Sequence, residues 1–376
     1  MISQAELSEI TDLRHALHQH PELSGFEVNT AGRILEFLGE HPGRTIVKGI
    51  GGQGILLVYD SKAPGKTIMF RADMDALPIQ EESSGLSYKS KTDGVAHLCG
   101  HDGHSAILAG FARYLDKAGV TSGQVLLLFQ PSEENGKGAF SVLGDPRFSF
   151  EPDMVFAFHN LPGYEMGMPV YRKDTFACAS TGMIIRLTGR TAHAAEPQKG
   201  ISPESAIERI LLFVRGFRQS LPSDTIITTT HIQMGEKAFG IAPGMGELYF
   251  TLRSERTEML DNVCKQLEEK VREIALEEGL GCVVEKTEYF PATVNADEPL
   301  SVLKNAIESL SFQGEEINTP FRWSEDFAWF TGRYPGVLFG LGSGKDQPPL
   351  HHPEYNFPDE LIPTGIQLFK EILKNV

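Results

Sequence analysis

The chain of 376 residues has only four cysteines, no block of Lys and Arg, and no apolar run approaching the ~20 residues that span a bilayer. Cysteines 99, 178, 264 and 282 are too few and too scattered for a disulfide framework in so long a chain, so free thiols in a reducing compartment are expected. The lack of a basic block and the net charge of −16 argue against a footprint for a phosphate backbone, and nucleic acid is not an expected partner. The start, "MISQAELSEITDL", is polar and acidic and lacks the apolar core of a signal peptide, so the expected location is the cytoplasm, with no membrane partner. Repeats and low-complexity segments are absent too. What remains is a chain with 41% hydrophobic residues and interspersed charges, globular in type and long enough for two domains, whose natural partners are small molecules.

Apolar runs rich in β-branched residues, "TIVKGI" (45–50), "GILLVYD" (54–60), "KTIMFRAD" (66–73), "GQVLLLFQ" (123–130), "DMVFAFH" (153–159) and "GVLFGLG" (336–342), alternate with segments of helical period. This predicts an α/β domain with a sheet covered on both faces, built from residues 1–177 and 291–376. Over 178–290 the order becomes strand, helix, strand, strand, helix, strand, which predicts a small ferredoxin-like domain inserted into the first. "GIGGQG" (49–54) imitates a dinucleotide fingerprint but leads into a strand, and so reads as a hairpin turn. "GLGSGKD" (340–346) has a misplaced glycine and Asp346 where a phosphate loop needs Ser or Thr.

The chemistry gathers in "HLCGHDGHSA" (97–106), which sets three histidines, an aspartate and a cysteine between glycines. Asp73 and Asp75 follow one apolar run, Glu133 and Glu134 another, and His159 ends a third, so each is expected at the carboxyl end of a strand, where open α/β sheets bind ligands. His351 and His352 join that edge if "GVLFGLG" pairs in the sheet. Cys99, His101, Glu134, His159 and one of His351 or His352 make five candidate metal ligands, more than one catalytic zinc takes, which suggests two ions. A paired centre suits amide hydrolysis, one carboxylate of the Glu pair binding metal while its neighbour, turned the other way, takes a proton from water. Asp102 fits the N-cap of a helix beginning near Gly103, and His104 a packing position on that helix. His15, His18 and His20 belong to the first helix and its exit, whereas His41, His97 and His231 carry no usable signal.

"RHALHQHPELSGFE", "RADMDALPIQE", "HLCGHDGHSAILAG", "QPSEENGKGA", "FAFHNLPG", "GRTAHAAEP", "SEDFAWF" and "LHHPEYNF" occur in an order that resembles the aminoacylase/carboxypeptidase G-like metallopeptidases, in particular the branch of hippurate hydrolases and indole-acetyl-amino-acid hydrolases. The resemblance spans nearly the whole chain. It implies a catalytic domain with two divalent ions, a dimerisation or lid domain inserted into it, a homodimer through that domain, and hydrolysis of N-acyl amino acids. It assigns Cys99, His101, Glu134, His159 and His351 as ligands, Glu133 as general base and His193 as a donor to the developing oxyanion, commonly in the partner subunit's site. His351 is preferred over His352 by the pattern Leu-His-x-Pro, here Leu350 to Pro353. Where the wider family has His-x-Asp this chain has Asp73-Met74-Asp75, with Cys99 in compensation and Asp75 left to orient the groups that bind metal. Gly240 replaces a usual Asn in a lid loop, while Arg253 remains as a clamp for a substrate carboxylate. Zinc, manganese, cobalt and nickel all suit this donor set. An N-acetyl-diaminopimelate deacetylase, a dipeptidase, or a binding protein without chemistry are the rival readings.

Overall fold

The computed structural model describes residues 3–376 and divides into two compact units, one containing the residues up to Phe176 with Thr293–Pro320 and Glu325–Val376, the other Ala177–Ala292 with Phe321–Ser324. In the first, runs of Val, Leu, Ile and Phe make strands buried along almost their whole length, the pattern of a sheet covered on both faces. The eight-stranded sheet runs, edge to edge, Thr45–Ile50, Gly54–Asp60, Gln124–Gln130, Thr67–Asp73, Met154–Pro162, Gly336–Gly344, Pro169–Tyr171 and Glu315–Glu316. It is mixed. Thr67–Asp73, Gln124–Gln130, Met154–Pro162 and Gly336–Gly344 are mutually parallel, so their carboxyl ends open on one edge. The "GIGGQG" string closes the antiparallel hairpin between Thr45–Ile50 and Gly54–Asp60.

Against this sheet packs the helix His101–Ala118, buried on nearly every side and flanked by the helices Gln4–Gln19 and Leu361–Lys374. The core between them centres on Phe70, whose ring lies 5.0 Å from Phe111, 5.5 Å from Phe156 and 4.9 Å from Phe369. Each such contact adds about 0.5–1.5 kcal/mol beyond area burial, so this cluster holds helix and sheet in register. His101 and its neighbours therefore stand on a helix that is packed firmly against the sheet.

The second unit has a four-stranded antiparallel sheet in the order Thr225–Met234, Met245–Ser254, Ala179–Thr188, Gly281–Phe290, with the helices Glu204–Ser220 and Thr257–Glu277. Strict alternation of burial along Met245–Ser254 shows one covered face, where Leu248, Phe250 and Leu252 join Leu260, Leu267 and Ile274 of the longer helix in a separate core. Among the described residues no helix is long and apolar enough to cross a membrane.

Candidate metal centre

At the carboxyl edge of the parallel strands, Asp73 ends its strand and Asp75 follows two residues on. The Asp75 carbonyl lies 2.9 Å from His101 Nδ1, and Asp75 Oδ2 accepts the Ser24 hydroxyl at 2.6 Å and the Glu134 N–H at 3.0 Å. With Nδ1 engaged, His101 presents Nε2, which stands 3.7 Å from Asp73 Oδ2, 3.8 Å from Glu134 Oε1 and 4.0 Å from Glu133 Oε2. Cys99 Sγ is 3.4 Å from His159 Nε2, and His351 Nε2 is 3.6 Å from Glu134 Oε1. His351 sits at φ 66°, its N–H donating to the Leu98 carbonyl at 2.9 Å.

Three sets of donor atoms, Cys99 with His101 and His159, Cys99 with Glu134 and His351, and His101 with Glu133 and Glu134, each lie within 4.8 Å of one another. They overlap through Cys99, His101 and Glu134, so the donors form one patch with more than one focus. Two buried donor atoms in it, His101 Nε2 and Glu134 Oε1, have no hydrogen-bond partner among the described residues. Buried polar atoms are rarely left so, and soft sulfur, imidazole and carboxylate together are the donors transition metals take. The residues thus fit a divalent ion at each focus.

Electrostatics agree. Burial alone would lower the proton affinity of His101, yet Asp73, Asp75 and Glu134 outweigh it and raise the group to about 10. Burial raises Glu134 to about 7 against the pull of His101. Glu133 is pushed up by burial and then by Glu325, Glu134 and Asp326, and the Cys99 thiol by burial and then by Glu134, Glu133 and Asp73. His159 and His351 are lowered chiefly by burial. So many carboxylates around few cations call for positive charge, which metal ions supply.

Not every expectation matches. Glu133 and Glu134 do not turn apart, since both reach toward the same His101 Nε2. Asp102 is no N-cap: Gly100 holds that position at φ 94°, and Asp102, fully buried in the first turn, receives Arg14 Nη1 at 3.2 Å and lies 2.9 Å from His18 Nδ1. His104 is bound rather than merely packed, with Nδ1 2.6 Å from Asp73 Oδ1 and Nε2 2.5 Å from Asn160 Oδ1. His159 is inside its strand, which continues to Pro162.

A second network escaped the sequence reading. Buried Arg71 donates to Gln130 at 2.8 Å, Asp73 at 2.6 Å, Glu325 at 2.8 Å and Asp326 at 2.9 Å, and the Asp326 N–H donates to Glu133 Oε1 at 3.3 Å. An arginine in an otherwise buried strand, and the acidic pair in "SEDF", were the available signals. His193 and Arg253 belong to the second unit. His193 is exposed, its Nδ1 accepting the Ala195 N–H at 3.0 Å, and Arg253 Nη1 donates to the Arg322 carbonyl at 2.7 Å and the Ser324 hydroxyl at 3.3 Å.

Comparison with known proteins adds the context of this geometry. The profile described as peptidase family M20/M25/M40 matches residues 69–375. An uncharacterized hydrolase of Staphylococcus epidermidis is 31% identical over 386 aligned positions, covering 98% of each chain. Among solved structures, the YXEP protein of Bacillus subtilis, described as a dinuclear metal binding peptidase of the M20 family, superposes with a TM-score of 0.81 at 26% identity, covering 99% of this chain and 98% of its own. An aminobenzoyl-glutamate utilization protein from Klebsiella pneumoniae reaches a TM-score of 0.73 at 19% identity over 98% of this chain and 95% of its own, and shares the fold.

Proposed function

Since this chain belongs to the M20/M25/M40 peptidase family and is a hydrolase, we propose that its carboxyl-edge cluster is a dinuclear metal centre that hydrolyses the amide bond of N-acyl amino acids. The observation that carries the reading is the overlap of the donor sets around Cys99, His101, Glu134, His159 and His351, with Glu133 beside them and two buried donor atoms unpartnered. The dinuclear description of the Bacillus subtilis relative supports the number of ions. When bound, two divalent ions acidify water and polarise a carbonyl.

The chain's own residues do the rest. Glu133, held at Oε1 by the Asp326 N–H, takes a proton from the attacking water at its other oxygen and returns it to the leaving nitrogen, so that water and amide become carboxylic acid and amine. Burial and neighbouring carboxylates raise its proton affinity, which suits a base that must hold a proton between two steps. Asp75 fixes the ring of His101 through its carbonyl and anchors Glu134 through its carboxylate. The role of His193 as oxyanion donor and the homodimer rest on the family resemblance, that of Arg253 as carboxylate clamp on its place in the motif order and its planar fork, and the cytoplasmic location on composition. Acyl or aryl-acyl amino acids are the substrates that the motif set favours.

The test is a panel of N-acetyl and benzoyl amino acids, N-acetyl-diaminopimelate and dipeptides, assayed with zinc, manganese, cobalt and nickel. Metal-dependent release of the free amino acid from the acyl compounds is expected. A preference for diaminopimelate or for dipeptides would move the substrate within the family, and no hydrolysis of any member would overturn the reading.

A further inference from the structure

The turn that brings Glu133 and Glu134 together begins at Ser132, which is not glycine yet sits at φ 58°. That conformation is strained for an L side chain and persists only where the surroundings impose it. Had the strand Gln124–Gln130 continued, successive side chains would leave on opposite faces. With the chain turned at Ser132, the two adjacent carboxylates approach the same His101 Nε2 at 4.0 and 3.8 Å.

What imposes the turn is a side chain from the first hundred residues. Ser132 donates its N–H to Glu27 Oε1 at 2.8 Å and its hydroxyl to the same oxygen at 3.4 Å, while its carbonyl accepts the Gly138 N–H at 3.0 Å. Glu27 is completely buried although it occupies the N-cap position of the helix Val28–Leu38, where it makes no capping bond with its side chain. Its carbonyl accepts the Ala31 N–H at 2.9 Å, so the helix fixes its backbone and the carboxylate serves Ser132 instead. Three residues earlier, Ser24 bonds the Asp75 oxygen that also accepts the Glu134 N–H. Residues 24–27 therefore brace the Ser132–Glu134 segment at both ends.

We propose that Glu27 is a positioning residue: by pinning Ser132 in the left-handed conformation it sets where the carboxylates of Glu133 and Glu134 stand. This rests on the reading that those carboxylates serve a metal centre. Burial raises the proton affinity of Glu27, and a neutral group able to accept the Ser132 N–H satisfies the same need.

The experiment compares Glu27→Ala, Glu27→Gln, Ser132→Gly and the double variant Glu27→Ala/Ser132→Gly. Zinc affinity is measured by chelator competition, kcat and KM at saturating ion, and Tm for each. In Glu27→Ala, zinc affinity and kcat should each fall roughly tenfold or more, the usual size for a group that orients ligands, with KM nearly unchanged. Glu27→Gln, which keeps an oxygen for the Ser132 N–H, should stay close to wild type. The double variant should recover much of the loss, because glycine adopts this φ without help. A lower Tm with unchanged zinc affinity and kcat, a Gln variant as impaired as the Ala variant, or no recovery in the double variant would each overturn the proposal. Should Glu27→Ala fail to fold, Glu27→Asp, one methylene short of Ser132, carries the same comparison. If the wild type binds zinc but hydrolyses no N-acyl amino acid, the substrate reading fails while the zinc-affinity series still decides the role of Glu27.

Discussion

At the residue scale, Glu133→Gln removes a base while preserving shape. It should retain both ions and substrate affinity and lower kcat by roughly 10²-fold or more, the usual size of a general-base effect; near-normal kcat would end that role. Cys99→Ser should weaken metal binding, since a hydroxyl is a far poorer ligand than a thiolate, and metal analysis after dialysis would show it. His193→Ala should keep its metals and lose roughly 10²–10³ in kcat if the imidazole stabilises an oxyanion. Mixing it with Glu133→Gln under subunit exchange should restore activity if the site is shared between chains; no recovery despite proven exchange would contradict sharing. That Cys99, His101, Glu134 and His159 gather at one sheet edge could be read from the sequence because polar, metal-binding residue types stood where a core needs apolar ones. The links from His104 to Asp73 and Asn160, and from Arg71 to Glu325 and Asp326, could not. They join segments up to 255 positions apart, and no local pattern reports such a meeting.

At the element scale, the helix His101–Ala118 carries the centre and depends on close approach. A Cβ on Gly103 would lie 2.4 Å from the ring of Phe357, which is itself fully buried. Gly103→Ala gains about 1 kcal/mol in helix propensity. Overpacking costs typically about 1–3 kcal/mol, so the clash should win and shift the first turn of the helix, where His101 sits. A lower Tm together with weaker metal binding is expected, and a stabilised variant with normal metal binding would show that Phe357 can give way. Six of the eight strands of the large sheet were legible from their apolar runs to within a few residues, whereas the short strands Pro169–Tyr171 and Glu315–Glu316 left no such run. The start of this helix was not: Asp102 looked like a cap, whereas Gly100 in a left-handed turn starts the helix and frees the Asp102 carboxylate for Arg14 and His18.

At the scale of the whole molecule, the acidic cluster ties metal, pH and stability together. In the metal-free protein Glu134 is raised to about 7 by burial and His101 to about 10 by its carboxylate neighbours. A group raised in the folded state contributes stability that is complete below its unfolded pKa and lost as pH rises through the folded value. From pH 6.5 to 8.5 both groups act in that direction, while His159 and His351, lowered by burial, are already neutral. The metal-free protein should therefore lose Tm across this window, and the increment in Tm from added ion should grow. At 1,000 times Kd a bound ion stabilises by about 4 kcal/mol. An increment independent of pH would show that the ions displace no protons from these groups. The texture of the sequence changes near residue 178 and the second compact unit begins at Ala177, while residues 321–324 cluster with that unit, a return too short to leave a pattern.

A two-ion centre on the first unit is proposed to hydrolyse an acylated amino acid. Its most direct test is the rate of N-acyl amino acid hydrolysis by metal-stripped protein titrated with one divalent ion. The rate should start near zero and reach its plateau at two equivalents per chain, whereas full activity in the stripped protein, unchanged by added ion, would contradict the account.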